Sequence, residues 1–197
     1  MTDDWRVRLR GSRFGSVIVL GVTTLAVLLG VWLVMRPGVD EATGAAVSQV
    51  EVQGVGSAPR VGDAAPAFVA TALDGSVVAL DALHGRPVWL VFVATWCSGC
   101  RAEMPDVQAA HEAAGPDGVE VVAVYVGEGA SVVGGYVDRL GLTFTQLPDP
   151  QTKLAAAYGV LGVPAHFFID ADGVVKQTQV GVLSPTQMTE AITTVSG

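Results

Sequence analysis

The residues best suited to chemistry in this 197-residue chain are its only two cysteines, Cys97 and Cys100. Thiol–disulfide exchange needs one accessible, stabilised thiolate and a second thiol close enough to resolve a mixed disulfide. An apolar run ends just before Cys97 and a stretch of helical composition follows Cys100, which places the pair where a strand turns into a helix. Because free N–H groups at a helix N-terminus favour an anion, we assign Cys97 as nucleophile and Cys100, one turn deeper, as resolving thiol.

Two other uses of a C-x-x-C pair are a structural disulfide and half of a zinc site. Zinc in a structural site requires four ligands, and the three histidines (His84, His111 and His166) are scattered without forming a second ligand pair. The sequence therefore predicts no bound metal and no other cofactor. A purely structural disulfide stays open at this point.

The charge distribution separates a basic N-terminus from an acidic body. The formal net charge is −8, yet five arginines and only two aspartates precede Pro37. An acidic body without a basic stripe argues against nucleic acid as a partner. Half of the residues are hydrophobic and the mean hydropathy is positive, at +0.48, which is unusual for a soluble domain and indicates a membrane segment.

The N-terminal region predicts a membrane anchor. Residues 14–35 carry no charge and are long enough to cross the hydrocarbon layer as a transmembrane helix. Four arginines precede this run and only Arg36 follows it closely. This asymmetry predicts a single-pass cell-membrane protein with a cytoplasmic tail over residues 1–13 and an extracytoplasmic C-terminal domain. A cleaved signal peptide is the alternative, although its apolar core is usually shorter. Residues 36–60, rich in small residues without periodicity, predict a flexible linker.

Residues 61–197 predict one α/β domain. An Asp74-Gly75 turn indicates a first hairpin, and continuous apolar runs indicate buried central strands that alternate with helices. A second hairpin precedes a final helix that Ser184 caps. This order predicts a mixed central sheet flanked by helices. The predicted strands are 68–71, 77–80, 87–95, 119–126, 144–147, 165–169 and 174–180, and the predicted helices are 101–114, 131–140, 151–158 and 185–195.

Three segments resemble a known family. FVATWCSGCRAEMP, residues 92–105, looks like the active-site segment of thioredoxin-fold proteins, and is most similar to the membrane-anchored, TlpA- and ResA-like bacterial thiol–disulfide oxidoreductases. YGVLGVPAHFFIDADGVV (158–175) resembles their second signature, and VGDAAPAFVATALDGSVVAL (61–80) resembles their N-terminal hairpin. The resemblance implies a thioredoxin fold with that hairpin and with an inserted helix and strand near residues 131–147. It also implies protein disulfides as substrates, a membrane electron donor as partner, and a monomeric domain.

The resemblance assigns substrate-binding roles around the cysteines. Trp96 would shield the pair and shape its surface, with simple packing as the alternative. Pro164 matches the family's cis-proline, which faces the cysteines and would present the Val163 backbone to an extended substrate segment.

Glu103 is the third predicted catalytic residue, after the two cysteines. It aligns with an acidic residue that this group uses to tune its thiols. A half-buried carboxylate at this position on the helix could accept the proton of Cys100. A merely solvated glutamate is the alternative. His166 is expected to be a sheet residue without catalytic importance.

Several functions stay open beside disulfide reduction. In the reverse direction, the same residues would oxidise substrates. Cytochrome c maturation is a second alternative. Family members with that function often carry a glutamate directly after the cis-proline, where this chain has Ala165, and this difference weakens the alternative. Copper-delivery relatives on this fold use two cysteines with three residues between them plus a distant histidine, whereas only Ser98 and Gly99 lie between Cys97 and Cys100. A peroxiredoxin needs a proline and a threonine or serine where this chain has Leu90 and Ala94.

Overall fold

The computed structural model describes residues 13–35, 50–52 and 58–197, and the chain divides into two compact units. The first unit contains helix α1, Arg13–Met35, which coincides with the apolar run. Within the described part of the chain, no helix has the length and apolar character needed to cross a membrane. Almost all of the predicted cytoplasmic tail, and most of the predicted linker, lie outside the described residues. The transmembrane anchor therefore stays a prediction.

The second unit begins with a small antiparallel sheet of three strands. Strand β1 (Val50–Val52) pairs with β2 (Phe68–Thr71), and β2 pairs with β3 (Val77–Ala79). Strand β1 lies within residues 36–60, the predicted linker. The structure therefore differs from the prediction at these three residues, because they pair with β2. The hairpin of β2 and β3 is confirmed, but its second strand ends one residue early. A 3-10 turn over Leu80–Leu83 follows and buries Leu80.

The central sheet has five strands. They are β4 (Val88–Val93), β5 (Glu120–Val126), β6 (Thr145–Asp149), β7 (Ala165–Ile169) and β8 (Val175–Val180). Their order in the sheet is β6-β5-β4-β7-β8. Strand β4 pairs in parallel with β5, which pairs in parallel with β6. On its other edge β4 pairs antiparallel with β7, and β8 closes the sheet antiparallel to β7. The predicted mixed sheet is thus confirmed.

Four helices accompany this sheet, each close to its predicted position. They are α2 (Ser98–Ala114), α3 (Ala130–Leu140), α4 (Lys153–Ala157) and α5 (Pro185–Ser196). Helix α3 and strand β6 form the predicted helix–strand insertion. Helix α5 begins with the predicted cap: the Ser184 hydroxyl accepts from the Gln187 N–H, the Gln187 side chain accepts from the Ser184 N–H, and Pro185 occupies the first turn.

Two hydrophobic core layers cover the two faces of the sheet, and β4 contributes to both. Trp89, Val91 and Val93 face one layer, while Leu90 and Phe92 face the other, as the two-residue period of a strand requires. Helices α2, α3 and α5 contribute to the first layer, and α4 and β2 to the second. Because both cysteines belong to the first layer, the site lies where α2 packs on β4 and β7.

Candidate active site

The cysteine pair lies at the junction of β4 and α2, as predicted. Cys97 and Cys100 form a disulfide. Cys97 is the N-cap of α2, and its sulfur accepts the backbone N–H of Cys100 at 3.1 Å. That N–H would stabilise a thiolate on Cys97 in the reduced protein. Cys97 is 8% exposed and Cys100 is fully buried, so the sulfur of Cys97 is the more accessible one.

The loop before β7 packs against the cysteine pair. The Val163–Pro164 peptide bond is cis, as the resemblance implied, and the Val163 carbonyl oxygen lies 3.6 Å from the Cys97 sulfur. Pro164 is buried, whereas Val163 is partly exposed. Gly99, in the first turn of α2, permits this close approach: a Cβ on it would lie 3.7 Å from Pro164 Cδ and 3.0 Å from Cγ2 of Val182, in the loop after β8. The loop before β7 and the loop after β8 therefore both approach the first turn of α2.

Exposed apolar side chains border the pair. Trp96, immediately before Cys97, is 69% exposed, and Val182, which lies against Gly99, is about half exposed. Leu161, two residues before Val163, is fully exposed. Trp96 thus lies on the surface beside the nucleophile rather than in the core. Its role in substrate binding stays a prediction.

Hydrogen bonds hold the turn that carries Cys97. Both carboxylate oxygens of Glu128 accept from Thr95, one from its N–H at 2.8 Å and one from its hydroxyl at 2.6 Å. Arg101 donates to the carbonyl oxygens of Thr95 and Trp96, each at 3.4 Å. Glu128 is not among the site residues predicted from the sequence. A signal existed, because Glu128 follows β5 and the carboxyl ends of the parallel strands β4 and β5 meet at one edge of the sheet.

Glu103 is fully buried, so the prediction that its carboxylate is half-buried is wrong. Its side chain lies on the inner face of α2 with an exposure of 1%. The Leu183 N–H donates to Oε1 at 2.8 Å, whereas Oε2 has no hydrogen-bond partner among the described residues. Burial raises the pKa of Glu103 to about 7, against the lowering effect of the Leu183 N–H, and the charge of Asp106 adds a further rise. This carboxyl group therefore changes protonation near neutral pH.

His166 lies in β7, as predicted, but it also contacts Glu103. Its Nε2 lies 3.4 Å from Glu103 Oε1 and 3.2 Å from the Gly181 carbonyl oxygen. Burial lowers the pKa of His166 to about 4, because desolvation disfavours the imidazolium. Since burial opposes the charged form of both groups, the contact joins a neutral imidazole to the carboxyl group and is not an ion pair.

A strand period could have revealed this contact. Pro164 and His166 are two residues apart, so both point to the same face of the sheet. That face packs on α2, and Phe168 at the next step belongs to the same core layer as the cysteines. The same two-residue period that indicates the strands therefore also connects His166 with Pro164.

Known proteins resemble this chain over the second unit. The AhpC/TSA family matches residues 61–178. The thiol-disulfide oxidoreductase ResA of Geobacillus kaustophilus (strain HTA426) is 39% identical over 128 residues, which cover 65% of this chain and 74% of that protein. ResA of Bacillus anthracis is 35% identical over 129 residues, which cover 66% of this chain and 75% of that protein.

Solved structures share the fold. The structure of MTB dsbF in its mixed oxidized and reduced forms superposes with a TM-score of 0.60 at 32% identity, and covers 66% of this chain and 95% of its own. A putative thiol:disulfide interchange protein DsbE from Chlorobium tepidum superposes with a TM-score of 0.59 at 31% identity, and covers 68% of this chain and 99% of its own.

The five-stranded sheet, the flanking helices and the disulfide at the start of α2 define a thiol–disulfide oxidoreductase with a thioredoxin-like fold. Within this class the chain belongs to the AhpC/TSA family, and it is of the ResA and DsbE type.

Relative to the wild-type protein, Glu103→Gln is expected to raise the free energy of unfolding of the oxidised protein more at alkaline pH than at acidic pH. The folded-state pKa of about 7 exceeds the ordinary value of 4.5, so the folded protein binds this proton more tightly than the unfolded chain does. The resulting stabilisation is complete below about pH 4.5 and is lost as the pH rises through 7, a change of about 3 kcal/mol. Denaturant unfolding at pH 5 and pH 8 measures the difference.

The matched control is Glu190→Gln, which removes the same charge from an exposed position on α5. It should change stability by similar small amounts at both pH values. Equal changes for Glu103→Gln at pH 5 and pH 8 would contradict the raised pKa.

Proposed function

We propose that this protein exchanges disulfides with proteins outside the cytoplasm, chiefly by reducing them. The observation that carries the proposal is the Cys97–Cys100 disulfide at the N-terminus of α2, with the Val163 carbonyl oxygen 3.6 Å from the Cys97 sulfur. A redox-active pair, an adjacent backbone acceptor and a bordering apolar surface together suit a polypeptide substrate. Two of the similar proteins, a thiol-disulfide oxidoreductase and a putative thiol:disulfide interchange protein, agree with this chemistry.

The reductive reaction runs in two exchanges. The Cys97 thiolate attacks one sulfur of the substrate disulfide, so that a Cys97–substrate disulfide forms, the substrate S–S bond breaks and the leaving thiolate takes a proton. Cys100 then loses its proton and attacks the Cys97 sulfur. This step closes the Cys97–Cys100 disulfide and releases the second substrate thiol. Two electrons pass from the dithiol to the substrate, and a membrane electron donor restores the dithiol.

Glu103 is proposed to accept the proton of Cys100. The two residues are three apart on α2, so their side chains are neighbours on one helix face, and both are buried. With a pKa near 7, the carboxyl group exists in both protonation states at neutral pH, which is the condition for an efficient proton acceptor and donor.

Trp96, Val163 and Pro164 are proposed to hold the substrate. The partly exposed backbone of Val163 would pair with an extended substrate segment in the manner of an added strand. Trp96 would cover the apolar side chains next to the substrate cysteine. Apocytochrome c is one candidate substrate under this proposal.

Cys97→Ala should abolish the reduction of insulin disulfides, because it removes the nucleophile. Cys100→Ala should instead accumulate mixed disulfides, because the first exchange still occurs and its product is not resolved. Turbidity of reduced insulin measures the first effect, and mass spectrometry of trapped complexes measures the second and identifies the substrates. Ser98→Ala, an exposed change between the cysteines, is the control and should keep insulin reduction.

Near-wild-type turnover in Cys97→Ala would overturn the assignment of the nucleophile. The absence of trapped complexes in Cys100→Ala would overturn the assignment of the resolving thiol.

The reduction potential of the Cys97–Cys100 couple should lie closer to about −270 mV, as in thioredoxin, than to about −120 mV, as in DsbA. Equilibration with glutathione buffers, followed by thiol alkylation, measures this potential. A value near the upper figure would make the protein a disulfide donor, with the same residues acting in the opposite direction.

The extracytoplasmic location rests on the N-terminal segment. Residues 14–35 are uncharged, and arginines are in excess on the N-terminal side, as expected for a helix with a cytoplasmic N-terminus. Leu20, Leu25 and Leu28 in α1 are each at least 60% exposed, and lipid would cover such side chains. We therefore propose that α1 anchors the redox domain to the outer side of the cell membrane.

The full chain should remain with membranes after a carbonate wash, and protease added to spheroplasts should digest the redox domain. The control variant, Leu25→Asp with Leu28→Asp, places two charges in the apolar run and should reduce membrane retention. A redox domain that is protected from protease until the cells are lysed would contradict the proposed orientation.

A further inference from the structure

Three buried side chains in contact with one another connect the central sheet to Glu103. The indole N–H of Trp89 in β4 donates to His166 Nδ1 at 3.3 Å, and His166 Nε2 in β7 lies 3.4 Å from Glu103 Oε1 in α2. None of the three side chains is more than 1% exposed. These three side chains therefore connect β4, β7 and α2 without contact with solvent.

The contacts of His166 determine which of its nitrogens carries the proton. An indole N–H can only donate, so Nδ1 must accept from Trp89, and a neutral imidazole then carries its proton on Nε2. That N–H faces the Gly181 carbonyl oxygen and Glu103 Oε1 together. Because burial holds the pKa of His166 near 4, this donor persists throughout the physiological pH range.

The two oxygens of Glu103 consequently have different surroundings. Oε1 accepts the Leu183 N–H at 2.8 Å and lies 3.4 Å from His166 Nε2, whose proton is shared with the nearer Gly181 carbonyl oxygen at 3.2 Å. Oε2 has no hydrogen-bond partner within the described ranges. A proton that binds to this carboxyl group is therefore favoured on Oε2.

The charged groups around Glu103 are few. Asp106 on the same helix opposes ionisation of Glu103. From the sheet, neutral His166 faces it, and the loop before α5 contributes the Leu183 N–H. The one charged side chain of α5, Glu190, is exposed. His166 is thus the ionisable neighbour that touches the carboxyl group.

We propose that His166 is a positioning residue for disulfide exchange: its Nε2–H, oriented by Trp89, keeps Oε1 of Glu103 unprotonated and makes Oε2 the oxygen that takes the Cys100 proton. The inference rests on the role proposed above for Glu103. In this step the proton moves from the Cys100 sulfur to Oε2. The electron pair left on sulfur forms the bond to Cys97, and the substrate thiolate leaves.

Two variants of His166 separate hydrogen bonding from packing. His166→Phe keeps a planar ring but removes the donor, whereas His166→Gln keeps a side-chain N–H that can reach Oε1. Loss of the Nε2–H contact, which lies 3.4 Å from Oε1, should raise the pH at which Glu103 becomes an effective base by up to about one unit, a tenfold change in protonation. His166→Gln should stay near the wild-type value.

The full chain in detergent, reduced and mixed with Ellman's reagent in a stopped-flow instrument, reports both steps. The first thionitrobenzoate released marks the attack by Cys97, and the second marks the attack by Cys100 on the mixed disulfide. We expect the rate of the second release, measured from pH 5 to pH 9, to rise with an inflection near neutral pH that moves upward in His166→Phe. The first release should keep its wild-type pH profile.

Glu103→Gln distinguishes the failure of this inference from the failure of the proposed function. It should remove the inflection from the second release, and an unchanged inflection would overturn the role of Glu103 together with that of His166. If Glu103→Gln removes the inflection while His166→Phe leaves it in place, only the role of His166 is overturned. A shift in His166→Gln as large as in His166→Phe would also overturn it, because packing would then explain the effect.

Discussion

The position at which strand β4 ends determines the rest of the site. All six residues of β4 are buried, because β5 and β7 pair with its two edges and a core layer covers each face. Because neighbours pack on both edges and both faces of β4, its register in the sheet is fixed, and the turn that follows places Cys97 at the N-cap of α2. Glu128 and Arg101 then hold the backbone of that turn from two directions.

Desolvation is the second physical effect that shapes the site, and it acts on two groups in opposite directions. On the inner face of α2, burial disfavours a negative charge and brings the pKa of Glu103 toward neutrality. On β7, burial disfavours a positive charge and keeps His166 neutral. A pair at ion-pair distance therefore behaves as a neutral donor beside a titratable acid. Such a pair adds no buried charge that needs compensation at low pH.

Local patterns predicted the sheet, the helices and the cysteine pair, because the signals involved are short in sequence: apolar runs, turn residues and a cap such as Ser184. The cis peptide before Pro164 came only from the family resemblance. The depth of Glu103 could not be predicted, since helical periodicity gives a face but not its distance from solvent. The contact of His166 with Glu103 depends on the packing of α2 against β7, more than 60 residues away. Helix α2 starts earlier than predicted because the Cys97 sulfur supplies a cap.

The crowding at Gly99 links two parts of the site that are distant in sequence. Its nearest neighbour outside the helix is Val182, and the next residue, Leu183, provides the N–H that holds Glu103 Oε1. A side chain larger than that of glycine at position 99 would require the Val182 side chain to shift by a few tenths of an ångström. The second residue between the cysteines therefore lies against the loop that holds the buried acid, so the two parts of the site share one packing contact.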